Sequence, residues 1–247
     1  MYDNYPLIND LAQILLTPHQ HLSEIIFDEN NCIHNIAAKY LLSQANFILL
    51  QTALNKINNI EVTDIYLVGD YAGYYYNKYS EIECIIEYQN NGALDLSDDP
   101  DKLNIFLNSI YRGSLNNFNF EYNGIKVNFT LTTKNNDIFP KYSLLHNKWI
   151  AKPDKNSLKD IVLHEIQEEY NNRYYEIESY LAYNDINGFF QTPEGLEELQ
   201  SYRKNIFKKS QTSWKESIIF KLLKHSGVIQ RIDEYYSNNI NAFLSIE

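Results

Sequence analysis

Cysteine is scarce in this chain, and long apolar runs are missing. Cys32 and Cys84 are the only two thiols, and their separation matches no metal-ligand spacing. That excludes a disulfide framework and indicates a reducing compartment. The N-terminal stretch up to Leu16 has no basic segment, and its apolar run is too short and too interrupted for a signal peptide or a membrane span. We therefore expect a cytoplasmic protein with no membrane partner.

Positive charge is also in short supply. The chain carries 21 Lys and Arg against 32 Asp and Glu, which gives a formal net charge of -11. Each phosphate contact with a nucleic acid needs a cation, so stable nucleic-acid binding is disfavoured, whereas small nucleotides with Mg²⁺, or other proteins, suit the charge better. Asn, Ile, Lys and Tyr are abundant, which is typical of AT-rich coding as in many phages and low-GC bacteria.

The residues that are present suffice for a sizeable core. With 247 residues and 44% hydrophobic content, the chain needs neither disulfides nor a metal ion to fold. Apolar residues recur at helical spacing between Pro6 and Ile57, and again after Pro153. We predict an α+β fold, a mixed β-sheet core with flanking helices. Residues 1–153 are expected to hold the sheet and the N-terminal helices, and residues 154–247 a helical C-terminal region.

Between these helical parts the apolar period changes to that of strands. The clearest local prediction is a hairpin, because both residues of Asn123-Gly124 tolerate the positive φ of a type I′ turn. In chain order we predict strands over 64–68 and 81–88, a helix from 99 to about 112, the hairpin strands over 117–122 and 125–132, and helices over 158–183, 192–209 and 214–243.

Two glutamates in the second predicted strand are the candidates for chemistry. Side chains alternate across a strand, so Glu81 and Glu83 project to one face, and Ile82 and Cys84 to the other. Mg²⁺ takes oxygen ligands, and phosphoryl transfer uses such ions to offset developing charge. A carboxylate pair beside the Gly69 turn suits that chemistry. The alternative is an exposed strand face that is acidic only because it meets water.

The segment IYLVGDYAGYYYNKYSEIECIIEY, residues 65–88, resembles the signature of the polymerase-β-like nucleotidyltransferase superfamily. That signature is an apolar strand, a Gly-Ser or Gly-Gly turn, a spacer, and an acidic-apolar-acidic triplet, to which Gly69-Asp70 and Glu81-Ile82-Glu83 correspond. The likeness is closest to predicted nucleotidyltransferases carried by tailed phages. In those proteins residues 72–74, 78–80 and 142–149 also have counterparts, and the resemblance covers roughly residues 35–152.

The resemblance implies a turn that cradles a nucleotide phosphate and three carboxylates that hold Mg²⁺, but two positions depart from the family. Asp70 puts a negative charge where the phosphate would sit, and like charges in a partly dry site oppose each other by on the order of a few kcal/mol. Asn128 stands where the family has its third carboxylate. Its carbonyl oxygen can ligate a metal, but it brings no charge and cannot act as a general base.

These departures lead to two hypotheses. The first is a nucleotidyltransferase-fold pseudoenzyme with a partly lost metal site, a structural or interaction protein encoded by a phage, assembled as a homo-oligomer, and present in the virion as well as the host cytoplasm. The second is an active Mg²⁺-dependent transferase that moves a nucleoside monophosphate from an NTP to a hydroxyl of a protein, an RNA or a small molecule. In the active form, Glu81, Glu83 and Asp70 would be catalytic, Gly69, Asp70 and Lys78 would bind the nucleotide, and Glu81, Glu83 and Asn128 would bind the metal.

Two further features have two interpretations each. Tyr74, Tyr75, Tyr76 and Tyr79 could stack on a nucleotide base, or they could pack in the core or at an interface. The basic stretch 203–224 could meet phosphate, RNA or an acidic partner, or it could be a solvated helix face.

Overall fold

The computed structural model describes residues 5–51, 60–90, 119–133, 140–210 and 212–244. Over these ranges the chain is α+β with a six-stranded mixed sheet and helices, which confirms the predicted fold class. It divides into two compact units: a sheet unit of residues 18–156, and a helical unit of residues 1–17 with 157–247. Among the described residues, no helix has the length and apolar character that a membrane crossing requires.

The sheet unit begins with helix α2, Asn35–Gln51, and contains all six strands. They are β1 Ile60–Val68, β2 Ile82–Asn90, β3 Glu121–Tyr122, β4 Ile125–Thr132, β5 Lys141–Ser143 and β6 Lys148–Ala151. Their order across the sheet is β3-β4-β2-β1-β5-β6, with β2 and β4 parallel and every other pair antiparallel. Strands β5 and β6 were not predicted.

One face of the sheet is apolar and shares a core with α2. Ile82, Cys84 and Ile86 alternate along β2 and are at most 1% exposed. Helix α2 contributes residues spaced by four and three positions to the same core, and burying each large aliphatic side chain contributes about 1.5–3 kcal/mol. Those helix residues are Ala37, Leu41, Ala45 and Ile48. The predicted alternation of Glu81 and Glu83 against Ile82 and Cys84 is confirmed, with Glu81 half-buried just before β2 and Glu83 exposed on the other face. That face also carries the buried Ile85.

The predicted Asn123-Gly124 hairpin is present. Asn123 has φ 52° and Gly124 has φ 74°, and Tyr122 pairs with Ile125 across the turn. Both central residues are therefore left-handed, as a type I′ turn requires. Residues 117 and 118 of the predicted first hairpin strand lie outside the described residues, and so does the predicted helix from 99 to 112.

In its described residues, the helical unit holds α1 Tyr5–Leu16, α3 Leu163–Ile186, α4 Pro193–Ser210, α5 Trp214–His225 and α6 Val228–Leu244. Helix α1 belongs to this unit, and Gln167 Nε2 of α3 donates a hydrogen bond to Asn9 Oδ1 of α1 at 2.9 Å. One prediction is corrected here: the single helix predicted over 214–243 is two helices, α5 and α6. Gly227 has φ 82°, a left-handed residue just past a helix end, and its N–H donates to Lys224 O (3.2 Å).

Candidate functional site

The Gly69 turn brings the backbone at the end of β1 close to β2. Gly69 has φ 72° and ψ −154°, a combination that essentially only glycine adopts. A Cβ at this position would lie 2.3 Å from Glu83 Oε2. The side of the turn that faces β2 is therefore filled by the Glu83 carboxylate, which the β1–β2 register supports because Val68 pairs with Glu83.

Asp70, the predicted turn carboxylate, is buried and serves the local structure. It is 8% exposed, and its Oδ2 accepts a hydrogen bond from Ser80 Oγ at 2.7 Å. Ser80 Oγ in turn accepts from the Asn77 N–H at 3.1 Å. Through these hydrogen bonds, Asp70 links the turn to the loop that leads into β2. Its carboxylate occupies the position where the resemblance implies a phosphate.

Glu81 is held by two nitrogen donors on the neighbouring strand β4. Strand β4 runs parallel to β2 with Asn128 directly opposite Glu83. Asn128 Nδ2 donates a short hydrogen bond to Glu81 Oε2, and Lys126 Nζ lies 3.2 Å from Glu81 Oε1. The structure thus brings Glu81, Glu83 and Asn128 onto one face at adjacent strands, but with Glu81 bound to protein groups.

The oxygen donors on this face fit a metal ion poorly as they stand. Both oxygens of Glu81 accept from N–H donors, and Asn128 presents its amide nitrogen, not its carbonyl oxygen, to Glu81. Within the described ranges, no group of three or more His, Cys, Asp or Glu side chains could hold a metal ion, so Asp70 does not complete a cluster with Glu81 and Glu83. Mg²⁺ demands near-octahedral oxygen ligands, and Lys126 and Asn128 would have to leave Glu81 to provide them.

The tyrosines after the turn are engaged in packing. Tyr75 is buried and donates from its hydroxyl to Lys155 O at 2.8 Å. Tyr76 stacks on His19 with ring centroids 4.0 Å apart, and burial raises its pKa. Tyr79 is 44% exposed and lies beside Lys78, whose Nζ is 4.9 Å from the ring centroid. This arrangement favours the packing interpretation for Tyr75 and Tyr76, and it places Lys78 at the surface next to Tyr79.

A second polar group on the sheet was missed by sequence reasoning. Asp64 is buried, and both of its carboxylate oxygens accept from Ser143 Oγ, at 2.9 and 2.7 Å. Lys141, also buried, places Nζ 3.7 Å from the Tyr66 ring centroid and 3.9 Å from Glu87 Oε1. Burial, together with the charges of Asp64 and Glu87, raises the pKa of the Tyr66 hydroxyl. The only signal in the sequence was Asp64 directly before the apolar run 65–68.

The basic stretch 203–224 lies in α4 and α5 of the helical unit. Arg203 Nε is 3.0 Å from Asp233 Oδ1, and Lys215 Nζ is 3.0 Å from Glu165 Oε2. Lys208 and Lys209 are exposed in the last turn of α4, where positive charges interact favourably with the helix dipole. These contacts favour a solvated helix face over a phosphate site.

No family model, no curated protein and no solved structure matches this chain.

Proposed function

We propose that this chain is a nucleotidyltransferase-fold protein that has partly lost its metal site and works as a non-catalytic structural or interaction protein. The observation that carries the proposal is the binding of Glu81 by Asn128 and Lys126. An unpaired carboxylate cluster repels itself until a cation binds, whereas here an amide and an ammonium group from the protein offset the charge of Glu81.

Four further features support the fold assignment and the loss of activity together. The sheet has the strand, glycine turn and strand of the superfamily signature, and β4 lies parallel beside β2 with Asn128 opposite Glu83. The turn side that faces β2 holds the Glu83 carboxylate, and Asp70 adds a second negative charge. A phosphate approaching this turn would meet two carboxylates instead of a small neutral residue.

Phage origin, virion location and homo-oligomeric assembly are part of the same proposal. They rest on the sequence resemblance and on the Asn-, Ile-, Lys- and Tyr-rich composition. Light scattering on the purified full chain tests the assembly, because an oligomer has a multiple of the 29.1 kDa chain mass.

An active Mg²⁺-dependent transferase remains the second candidate, and the exposure of Glu83 favours it. Glu83 lies opposite Asn128, whose carbonyl oxygen is a possible metal ligand. A bound metal would offset charge on the transferred phosphoryl group in such an enzyme. For that, Glu81 would have to exchange both Lys126 and the Asn128 amide nitrogen for the metal.

The test combines nucleotide binding with nucleotide transfer. Purified chain is titrated with each NTP and Mg²⁺ in a calorimeter, and labelled NTP is incubated with it to detect transfer to the chain, to RNA or to small hydroxyl compounds. We expect neither heat nor labelled product. Product that disappears in Glu81→Ala and Glu83→Ala would establish the transferase instead, and heat without product would indicate a nucleotide-binding module.

A gain-of-function variant makes the negative result informative. Asn128→Asp combined with Asp70→Ser restores the family pattern at both departing positions. If this double variant binds Mg²⁺ and NTP while the natural chain does not, these two residues account for the loss. Trp149 fluorescence in a Trp214→Phe background reports whether the sheet unit stays folded.

A further inference from the structure

The solvent face of helix α3, Leu163–Ile186, is apolar in its second half. Ile186 is 85% exposed, Tyr183 70% and Tyr175 60%. Large hydrophobic side chains reach such exposure at only one other described position, Ile36 at 75%. Exposed apolar residues that cluster in this way mark an interaction surface. The opposite face of α3 is buried within the helical unit through Ile166, Tyr170, Ile177 and Leu181.

The exposed residues have the spacing of a seam between two helices. Four positions follow one another at intervals of four, three and four residues, which aligns them along one side of a helix. The two end positions are large and the two middle positions are small, and all four are exposed. Small middle residues allow a second helix to approach closely. We call these four residues the α3 stripe: Tyr175, Ser179, Ala182 and Ile186.

The α3 stripe matches a second α3 stripe when the two helices run antiparallel. A two-fold axis between Ser179 and Ala182 sets Tyr175 opposite Ile186 of the second copy, and Ser179 opposite Ala182 of that copy. Large side chains then meet at both ends of the seam and small ones in the middle. A parallel pair would instead set the exposed Glu168, which lies on the same line one heptad before Tyr175, against its own copy. In the antiparallel pair Glu168 lies beyond the overlap of residues 175–186.

The charges beside the stripe also favour antiparallel order. Arg231 of α6 forms an ion pair with Glu178, and its side chain is 44% exposed. Antiparallel pairing sets Glu178 across from Asp185 of the second copy, so that Arg231 supplies a positive charge between the two acids. On the other side of the seam, Tyr183 lies across from Glu176 of the second copy, whose carboxylate can accept a hydrogen bond from the tyrosine hydroxyl.

We propose that the α3 stripe is a two-fold interface, at which a second copy of this chain docks its own α3 stripe in antiparallel order. This inference rests on the homo-oligomer of the proposed function and names the surface that forms it. A single pair of helices gives a small interface, so we expect a dissociation constant in the micromolar range.

The test is light scattering on the purified full chain and two variants, at concentrations on both sides of the micromolar range. Ala182→Glu places a carboxylate in the middle of the seam, and Ser179→Lys places an ammonium group there. Each variant alone should have half the mass of the natural chain, because like charges at the two-fold axis should weaken the contact at least about tenfold. An equimolar mixture of the two should regain the natural mass, since antiparallel order sets the introduced carboxylate opposite the introduced ammonium group.

Ser201→Glu and Ser201→Lys are the matched controls, because Ser201 is an exposed serine inside α4. Both should keep the mass of the natural chain. Circular dichroism and the midpoint of thermal unfolding establish that every variant is folded. The proposal is overturned if either stripe variant keeps the natural mass, or if the mixture stays at half of it.

Two further outcomes separate this proposal from the proposed function. A natural chain that is monomeric at every concentration would leave the stripe to a different protein, and it would overturn both the interface and the homo-oligomer. An oligomer that both stripe variants leave intact would overturn the interface alone. Neither outcome bears on the loss of catalysis, which the nucleotide titration tests separately.

Discussion

The Glu83 carboxylate lies against the Cα of Gly69, so that a Cβ on residue 69 would come within 2.3 Å of Glu83 Oε2. This contact joins the turn after β1 to the acidic face of β2. It also means that two separate requirements act on residue 69: a backbone with φ 72° and a neighbour in van der Waals contact. The two can be separated by mutation, because a substitution at residue 83 removes the carboxylate and leaves the backbone conformation of residue 69 unchanged.

Gly69→Ala should lower the free energy of unfolding of the sheet unit by about 1–3 kcal/mol, because alanine is strained in this conformation. Most of the loss should persist in Gly69→Ala/Glu83→Ala, since removing the carboxylate relieves only the side-chain overlap. Urea unfolding followed by Trp149 fluorescence in a Trp214→Phe background measures the sheet unit alone, because the chain has only 2 Trp.

Gly124→Ala is the matched control for this prediction. Gly124 has a similar φ of 74°, but a Cβ there would meet nothing within 4 Å. Its loss should reflect the turn backbone only, about 1 kcal/mol. If the double variant at 69 and 83 regained full stability, the contact with Glu83, not the backbone, would be what demands glycine.

Asn128→Asp should destabilise the sheet unit by about 1–2 kcal/mol at neutral pH, because it replaces the hydrogen bond to Glu81 by a like-charge contact. The repulsion raises the pKa of the introduced carboxyl, so the deficit should shrink as the pH falls and that group becomes protonated. Millimolar Mg²⁺ should also reduce it. Urea unfolding at several pH values, with and without Mg²⁺, makes the measurement.

Asn128→Ala separates the lost hydrogen bond from the added charge. It should cost about 1 kcal/mol with little dependence on pH or Mg²⁺. Equal behaviour of the alanine and aspartate variants across pH would contradict the charge compensation on which the proposed function rests.

The parts of this fold that could be predicted are those in which neighbouring residues carry the information. The alternation in Glu81-Ile82-Glu83 predicted which side chains face the core. The dipeptide Asn123-Gly124 predicted a type I′ turn at its own position. Both are set by backbone geometry over a few residues, and the structure confirms both. The approach of β4 to β2 in parallel register is a long-range property, and only the resemblance suggested that Asn128 lies beside Glu83.

The parts that could not be predicted depend on partners distant in sequence. Strands β5 and β6 have 3 and 4 residues, too few for a period to show. Ser143 is polar yet fully buried, because its hydroxyl meets Asp64, 79 positions earlier. The contacts of Glu81 likewise come from Lys126 and Asn128 on another strand. No local sequence pattern indicates which carboxylate will receive hydrogen bonds from donors on a strand distant in sequence.

The two cysteines should differ sharply in reactivity. Cys32 is exposed, whereas Cys84 is 1% exposed in the sheet core. Burial and the nearby Glu83 charge raise the pKa of the Cys84 thiol, so its thiolate is suppressed as well as hidden. Iodoacetamide should modify one thiol in the native chain and the second at least about a hundredfold more slowly, since the second requires local opening.

Cys32→Ser provides the control for thiol labelling. This variant should show no fast modification, and urea should restore one reactive thiol. Fast labelling of the variant in the absence of urea would mean that β2 does not stay packed against α2.

An ion pair between α3 and α5 should make the helical unit acid-sensitive. Arg173 Nη2 donates to Glu216 Oε1 at 2.7 Å, and the two side chains are 15% and 17% exposed. The hydrogen bonds from Arg173 hold the pKa of Glu216 below its ordinary value. Because the folded-state pKa lies below that of the unfolded chain, the stabilisation is present above about pH 4.3 and is lost as the pH falls through the lowered folded value.

Arg173→Met should therefore cost the helical unit about 2–3 kcal/mol at neutral pH, and the difference from the natural chain should diminish below about pH 4.3. Urea unfolding followed by Trp214 fluorescence in a Trp149→Phe background isolates this unit. Arg203→Met is the control, since its partner Asp233 is 55% exposed, and an exposed pair should contribute no more than about 1 kcal/mol. If both variants lost the same stability with the same pH profile, burial of the Arg173–Glu216 pair would not be the source of the acid sensitivity.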